Sequence, residues 1–281
     1  MPQFAPVPAV PAAAPRSGLV RSAITPAGDD DRWQGGLVWR SERCPTATSY
    51  DPCSDEIPPE VGPGPGGLNY YLPQVLRASD ECSTRSSDLA DLQGRARRTL
   101  EGVTSFWLAR ELWTGEQSAA NPYETPEDGG PVSNRALAQV SGVTVIAGVH
   151  QPKHGLSVLE EAARGDDGSQ GMDVWIHVPL ELLGLLDGVL VREGDMWFTQ
   201  SGSRVVFDAG YLGTAPDGTE PAGSRFIYAT GPVTVRLGPI TVEEIVNHRT
   251  NRVRATAERM AAAYFDSCVH YGLAVSVPAT S

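Results

Sequence analysis

The sequence predicts a mixed α+β fold in which one long helix lies between two groups of strands along the chain. The helix signal is an apolar residue every three or four positions over residues 87–114, closed by Gly115. Short runs of β-branched and aromatic residues before residue 80 and after residue 170 indicate the strands. A proline-rich N-terminal segment precedes the helix and the strands, and its composition fits neither of them.

Length and charge limit the classes of protein that this sequence can represent. A chain of 281 residues is near the upper size of a single core, so one large domain or two smaller ones are both allowed. The formal net charge of −12 argues against a protein that grips nucleic acid through its phosphates. Since no apolar run approaches the roughly 20 residues of a membrane span, and no cationic start precedes an apolar segment, we expect neither membrane insertion nor secretion.

The first 28 residues contain six prolines among small apolar residues. This composition predicts an extended, polyproline-like arm and argues against a helix or a central strand. Its apolar content is higher than a solvated tail usually carries, so we expect the arm to dock on another surface. The residues predicted to make that contact are Phe4, Val7, Val10 and Leu19.

Two strand-like segments, Trp33 to Arg40 and Asn69 to Ala78, enclose a loop rich in proline, glycine and aspartate. Together they predict a long β-hairpin whose tip projects from the body. Its aromatic residues give more apolar surface than two strands can cover, so we expect the hairpin to pack on a partner subunit. The predicted contact residues are Trp33, Trp39, Tyr70 and Tyr71.

The four cysteines show no zinc-site spacing. Cys44 and Cys53 bracket a turn-rich loop, and a disulfide between them would contribute about 2.7 kcal/mol if its stabilisation comes from chain entropy. Two reduced, buried thiols are the favoured interpretation, since cytosolic disulfides are rare.

The long helix is predicted from about Ser87 to Thr114 and would be roughly 40 Å long. Three arginines on or near its polar side fit a solvated face, with ion pairs between subunits or contact with DNA as the alternatives. They are Arg95, Arg97 and Arg98. Short helix and strand signals then alternate to about residue 225, which predicts an α+β unit inserted before the closing strands. The predicted elements include helices at Leu156 to Ala163 and Pro179 to Leu186 and a hairpin of Met196 to Thr199 with Arg204 to Phe207.

The segment from Asn251 to Phe265 fits two patterns. Val253, Ala255 and Ala257 alternate with polar residues as in a strand. A helical stripe fits equally well, and its members are Val253, Ala257, Met260, Ala261 and Tyr264. The many alanines favour the helix on local propensity alone.

The order of these elements resembles that of tailed-bacteriophage major capsid proteins, the Hong Kong 97 type of shell fold that encapsulins share. Ala257, Glu258 and Arg259 stand at the A-E-R position typical of that family's long returning strand. Asp80 to Gly115 and Phe207 to Tyr211 (FDAGY) are also similar to pieces of capsid proteins from phages of GC-rich hosts. The resemblance implies that Asn251 to Phe265 is a strand, against its local helix preference.

The resemblance also implies a division of the chain into five segments. They are an N-terminal arm (1–32), an extended loop in the form of a long β-hairpin (33–79), a peripheral domain with a long spine helix (80–131), an axial domain (132–225) and a return through the peripheral strands (226–281).

The function implied is structural, with no catalytic residue, metal or cofactor. We expect a homo-oligomer, arranged as hexamers and pentamers of an icosahedral shell, that encloses double-stranded DNA without sequence-specific binding. The expected location is the virion, assembled in the bacterial host cytoplasm, and scaffolding, portal and decoration proteins would be separate partners. An encapsulin-like compartment shell or another head-associated protein is the alternative.

Two departures from the family carry further expectations. Some members crosslink their shells through an isopeptide bond from a lysine of the extended loop, but the only lysine here is Lys153, in the axial region. We therefore expect no covalent mesh. Since no long charged helical segment precedes the arm, we also expect no fused scaffolding domain.

A metal-dependent or hydrolytic enzyme is the least favoured interpretation. Its candidate residues are His150 with His154, Cys268 with His270, and Asp29 to Asp31. They form no known ligand set, and Pro152 prevents an ordinary helix from running through the first histidine pair. Motifs for a nucleophile elbow, a P-loop or a dinucleotide site are absent from the sequence.

Overall fold

The structure, a computed structural model, describes residues 17–26, 31–40, 68–124, 131–165, 173–265 and 268–278. The helices are α1 (Leu19–Ser22), α2 (Leu92–Thr114), α3 (Glu116–Ala120) and α4 (Pro152–Gly165), with 3-10 helices at Asp31–Gly35, Ser87–Asp91 and Leu180–Leu185. The strands are β1 (Leu37–Arg40), β2 (Leu68–Tyr71), β3 (Gln74–Ser83), β4 (Tyr123–Glu124), β5 (Pro131–Val132), β6 (Thr144–His150), β7 (Trp175–Pro179), β8 (Leu190–Glu193), β9 (Met196–Thr199), β10 (Arg204–Asp208), β11 (Ser224–Thr230), β12 (Val233–Leu237), β13 (Thr241–Asn247), β14 (Arg252–Phe265) and β15 (His270–Ser276).

Helix α2 confirms the long helix expected from the sequence, although its predicted first turn, Ser87–Asp91, is a 3-10 helix. Most of its apolar stripe is buried in the larger of the two main hydrophobic cores, whereas Trp107 is 44% exposed. Gly115 ends the helix in the left-handed conformation, with φ of 65°, and its N–H donates to the carbonyl of Glu111 at 2.8 Å. Glycine is favoured there because it has no Cβ to strain that conformation.

A four-stranded sheet is built around β14, which pairs antiparallel with β3 on one side and with β13 and then β12 on the other. The structure thus confirms the strand that the family resemblance implied for this segment. Val253, Ala255 and Ala257 are buried in the core shared with α2. Further along, the opposite face is covered too, because Ala262 packs with the β1–β2 hairpin. Apolar residues on both faces of the strand produce the run that resembled a helical stripe.

The predicted hairpin is present as β1 and β2, but its second strand is shorter than expected. The chain leaves the hairpin at Leu72 and Pro73 and continues as β3 in the four-stranded sheet. Asn134 holds this crossover, because its side chain accepts from the N–H of Leu72 at 2.6 Å and donates to the carbonyl of Leu72 at 2.9 Å. The first strand also starts later than expected, since Trp33 lies in a 3-10 helix.

The predicted arm contains one helical turn, α1, which its proline content argued against. That prediction was wrong for residues 19–22 because no proline occurs between Pro15 and Pro26, so every backbone N–H needed for the turn is present. Ile24 then forms a parallel bridge with Thr234 of β12.

A seven-stranded sheet has the strand order β6-β15-β11-β7-β10-β9-β8. Helix α4 packs on β15 and β11, and the second main core lies between them. Of the helices predicted in this region, α4 is confirmed, whereas Leu180–Leu185 is a 3-10 helix. The last predicted segment, 226–281, is divided between the sheets, because β11 and β15 lie in this one and β12 to β14 in the other. Within the described residues, no helix has the length and apolar character needed to cross a membrane.

Candidate functional site

The long helix α2 meets the seven-stranded sheet at the FDAGY segment, Phe207–Tyr211, which begins in β10. The buried carboxylate of Asp208 accepts three hydrogen bonds, from the Leu19 N–H at 2.9 Å, the Ser105 hydroxyl at 2.7 Å and the Gly210 N–H at 2.9 Å. One side chain therefore connects the start of the described chain, the long helix and the seven-stranded sheet. We call this set of residues, Leu19, Ser105, Asp208 and Gly210, the junction.

Close packing at the junction explains the glycine of the FDAGY segment. A Cβ added to Gly210 would lie 2.2 Å from the carbonyl oxygen of Phe106 in helix α2, which is an impossible approach. Tyr211, the next residue, contacts the Trp113 ring with centroids 5.3 Å apart. The sequence marked this segment only by its resemblance, and the structure supplies the physical reason for its composition.

Residues 18–24 are held by the same region of the chain. The Val20 N–H donates to the Ser105 hydroxyl at 3.3 Å, and the Arg204 guanidinium donates to the carbonyl of Ser22 at 2.6 Å. Leu19 was predicted to contact a neighbouring subunit, but its side chain is fully buried within its own chain. Phe4, Val7 and Val10 lie outside the described residues, so their interface role stays a prediction.

An aromatic cluster forms the base of the β1–β2 hairpin on β14. Trp39 and Tyr71 contact the Tyr264 ring, with centroids 4.7 Å and 6.0 Å away. Trp33 and Tyr71 are only 4% and 3% exposed, so the chain itself already covers two of the four aromatic residues predicted to meet a partner. Trp39 and Tyr70 are partly exposed, and their contact with a neighbour stays a prediction.

The A-E-R residues of β14 have three different environments. Ala257 lies in the core under helix α2. Glu258 forms an ion pair with Arg77 of β3. Arg259 donates two hydrogen bonds, at 2.8 and 3.2 Å, to the carbonyl of Gly238 and so ties the turn after β12 to the strand. These contacts are all within one chain, so the tripeptide stabilises the four-stranded sheet.

The three arginines of the long helix are likewise used within the subunit. Arg95 pairs with Asp80 at 2.6 Å and Arg98 with Asp91 at 2.5 Å. Arg97 donates to the carbonyl of Ile240 at 3.5 Å. The three arginines therefore bind groups of their own subunit, in the four-stranded sheet and at the start of the helix.

The candidate enzyme residues that the structure describes do not assemble into a site. The rings of His150 and His154 lie 5.7 Å apart, and a search of the described residues finds no group of three metal-ligating side chains. His270 is buried and bonded through Nε2 to the carbonyl of Leu137 at 3.0 Å, and burial lowers its pKa to about 4. Cys268 precedes strand β15 and is disulfide-bonded, so it offers no free thiolate. Asp29 and Asp30 lie outside the described residues.

Two clefts in the described part of the chain are small. One, of about 240 Å³, lies beside the junction and is lined by Arg21, Glu101 and Arg259 among others. The other, of about 270 Å³, is lined by Glu111 and Asn134, whose polar groups bond to each other and to nearby backbone. Both fall below the usual size of a small-molecule site.

Comparison with known proteins finds matches among solved structures only. No protein-family model matches the sequence, and no curated protein matches it. The capsid of a native gene transfer agent (GTA) particle is similar with a TM-score of 0.57 and 10% identity, covering 99% of this chain and 95% of that chain. An encapsulin complex from Synechococcus elongatus PCC 7942 gives a TM-score of 0.54 and 13% identity, covering 100% of this chain and 95% of that one. The capsid of Ralstonia phage GP4 gives 0.51 and 9% identity, with coverages of 100% and 96%.

The chain has the Hong Kong 97-type capsid fold. Following the terms of this fold, we call the four-stranded sheet with helix α2 the peripheral unit and the seven-stranded sheet with helix α4 the axial unit. The junction is then the place where the peripheral and axial units meet. At identities of 9 to 13%, the likeness establishes the Hong Kong 97-type fold and leaves the function to be argued.

Proposed function

We propose that this chain is a major capsid protein that self-assembles into an icosahedral phage head enclosing double-stranded DNA. The observation that carries the proposal is the extent of the likeness, because shell subunits match 99% to 100% of the chain. The match includes both the peripheral and the axial unit, so neither unit is left over as a separate catalytic domain. The proposed oligomers are hexamers and pentamers.

The attachment points of two long segments of the chain support a shell subunit. Stable obligate interfaces bury more than about 2,000 Å² in total, which is difficult to obtain from one compact patch. Here two long segments, residues 1–16 and 41–67, are attached to the described structure at separate places. Residues 1–16 precede Ser17 at the junction, and residues 41–67 connect Arg40 to Leu68 at the hairpin base. Their separate origins would let each subunit contact more than one neighbour.

The charge of the chain supports DNA as the enclosed material without a specific binding site. A wall with a net charge of −12 repels phosphate on average, so packaged DNA would not adhere to it strongly. On this proposal the protein is located in the virion after assembly in the bacterial host cytoplasm. Scaffolding, portal and decoration proteins would be separate chains, and assembly would need neither a cofactor nor a metal.

An encapsulin-like compartment shell is the second candidate, and the likeness to the Synechococcus encapsulin complex favours it, with a TM-score of 0.54 over the whole chain. The two candidates share a subunit fold and differ in what the shell encloses. A shell filled with DNA and attached to tails would support the phage capsid. A shell filled with one host enzyme would support the compartment.

Electron microscopy of the purified full-length protein, with nuclease-protected DNA and protein cargo measured on the same particles, tests both candidates. We expect closed icosahedral particles. A protein that stays monomeric or forms only small rings under a range of salt and crowding conditions would refute every shell function.

A further inference from the structure

Glu111 in helix α2 is a buried carboxylate whose hydrogen-bond donors are all neutral. The residue is 3% exposed, and its side-chain oxygens accept from the N–H groups of Gln117 and Ser118 at 2.8 and 3.1 Å. The Asn134 amide is a weaker third donor, at 3.4 Å. An ionised carboxylate has about four acceptor sites, so these bonds leave Glu111 able to accept a further donor.

The described residues place no cation against this carboxylate. Arg110 directly precedes Glu111 in the helix, but its guanidinium pairs with Glu116 at 3.4 Å. Buried charges in proteins are normally paired with an opposite charge or bound to a metal ion. The environment of Glu111 therefore favours a positively charged partner.

Glu111 lines a cleft of about 270 Å³ beside the crossover from β2 to β3, and we call it the Glu111 cleft. Four other wall residues carry side-chain amides, and they are Gln74, Gln117, Asn121 and Asn134. Three give apolar surface, and they are Leu72, Pro73 and Val75. The volume is below that of a usual small-molecule site, but a single long side chain fits within it.

A hydroxyl beside this cleft also lacks a partner. Tyr71 is 3% exposed, and its hydroxyl makes no hydrogen bond of good geometry among the described residues. Burial, and then the charge of Glu111, raise the pKa of this hydroxyl, so the two groups interact. The nearby Asn134 amide is already bonded to the backbone of Leu72 and to Glu111. Because buried hydroxyls are nearly always hydrogen-bonded, Tyr71 points independently to a further polar group at this site.

The walls of the Glu111 cleft match the two parts of an arginine side chain. A guanidinium group has five N–H donors and no acceptor, which suits a carboxylate that is surrounded by amide and hydroxyl oxygens. The aliphatic stem of an arginine packs on apolar surface of the kind that Leu72, Pro73 and Val75 provide. Ca²⁺ is a poorer match because it prefers several carboxylates, and Glu111 is the one acid among the described wall residues.

A second copy of the chain is the source of arginine that composition and position favour. Of the 22 basic residues only Lys153 is a lysine, so a basic side chain of this protein is nearly always an arginine. Arg85 and Arg249 are exposed and make no side-chain hydrogen bond or ion pair with another described residue. Strand β3 separates them from Gln74 by about 30 Å, so they can reach the cleft of a neighbour but not their own.

We propose that the Glu111 cleft binds the guanidinium group of an arginine from a second copy of this chain. This inference rests on the proposed shell function and names one contact within it. A free organic cation such as a diamine has similar chemistry, and the experiment separates that source from a neighbouring copy.

The first arm tests the site on the unassembled subunit, with methylguanidinium as the probe and neutral methylurea as its control. Binding is measured by saturation-transfer NMR. We expect methylguanidinium to bind and methylurea not to bind. Glu111→Gln should abolish the binding, whereas Glu116→Gln, which removes an exposed carboxylate nearby, should leave it unchanged.

A second variant avoids the bonds that Glu111 makes to the start of α3. Gln117→Lys keeps the backbone N–H that Glu111 accepts from and places an ammonium group of the same chain in the cleft. We expect it to block the probe and to lower the shell yield at least about tenfold, since a desolvated charge pair between copies is lost. Gln151→Lys makes the same exchange at an exposed position of the axial unit and should change the yield by no more than about twofold.

The last arm compares free subunits with assembled shells, because a neighbour's arginine in the cleft should exclude the probe. Shells that bind methylguanidinium as well as free subunits do would overturn the second copy as the source and favour a free cation. The site itself is overturned if the free subunit binds methylurea equally, if Glu111→Gln binds the probe as the wild type does, or if Gln117→Lys assembles normally. Wild-type protein that forms no shells overturns the proposed function and the neighbour as source, whereas loss of probe binding with normal shells overturns this inference alone.

Discussion

Removing the Asp208 carboxylate should release the start of the described chain from the junction. Asp208→Ala leaves the N–H groups of Leu19 and Gly210 without their acceptor in a site where Leu19 is fully buried. The Ser105 hydroxyl also loses its bond to the carboxylate. Among the described residues, the backbone near α1 would then be held by the bond from the Val20 N–H to the Ser105 hydroxyl, by Arg204 and by the bridge from Ile24 to β12.

The magnitude follows from the number of donors left unpaired. A buried backbone N–H without a partner costs about 1–3 kcal/mol, so two of them destabilise the closed junction by about 3 kcal/mol when part of the loss is regained by water. Each 1.4 kcal/mol is a factor of ten. The population with α1 detached should therefore rise by about 100-fold.

Limited trypsin digestion of the unassembled subunit measures this population. Arg21 is exposed, but a protease can bind its backbone only after α1 has left the junction, so the cleavage rate after Arg21 reports local opening. Asp208→Asn is the matched variant, since its amide oxygen can still accept one or two of the three bonds, and its effect should be smaller. An Asp208→Ala protein that is cleaved after Arg21 at the wild-type rate would refute the assigned role of the junction.

Four further predictions concern packing, pH and covalent links. Gly210→Ala should destabilise the subunit in urea denaturation by several kcal/mol, because its Cβ would collide with the carbonyl of Phe106 in helix α2. Gly102→Ala, which has open space around it in the same helix, should stabilise the subunit by about 0.5–1 kcal/mol. Equal effects of the two substitutions would contradict this. Burial, with a smaller effect from His270, lowers the pKa of His177 to about 3, so the subunit should lose stability as pH falls from about 6.5, the unfolded value, to about 3. His177→Gln should flatten this pH dependence. Curves of stability against pH that run parallel for the wild type and the variant would exclude His177 as its source. Assembled shells should dissociate fully into single chains under reducing, denaturing electrophoresis, because the only lysine is Lys153, and a ladder of crosslinked chains would disprove this. Cys268 is disulfide-bonded and Cys82 is free, so we expect non-reducing peptide mapping to find Cys268 joined to Cys44 or to Cys53, which lie outside the described structure. A peptide that joins Cys44 to Cys53 would contradict this expectation.

The elements that could be predicted from sequence are those whose signal is local. Helix α2 was expected because its apolar period is long and its end carries a glycine, which adopts the left-handed conformation at Gly115. The α4 helix and the β9–β10 hairpin were expected for similar reasons, and both are present. The order of the elements, together with short sequence similarities to capsid proteins, was sufficient to predict the fold.

Long-range pairing accounts for most of what the sequence did not reveal. Strand β15 has a clear strand pattern, yet nothing local indicates that it pairs in parallel with β6 instead of returning to the peripheral unit. The junction was missed for the same reason. Asp208 lies 103 residues from Ser105 and 189 from Leu19 along the chain, and no spacing rule connects them. Its only sequence signal was the resemblance of FDAGY to capsid proteins.

The position of strand β14 restricts which mutations this protein can accept. It pairs with three strands, lies against a helix on one face and carries the hairpin base on the other. Inserting or deleting one residue within it would exchange its two faces from that point onward, moving charged residues into one core and alanines to the outside. Strand β14 should therefore tolerate substitution but not a change of length. Its fourteen residues act as a fixed spacer, so on the proposed function any difference in shell size would have to arise from other parts of the subunit.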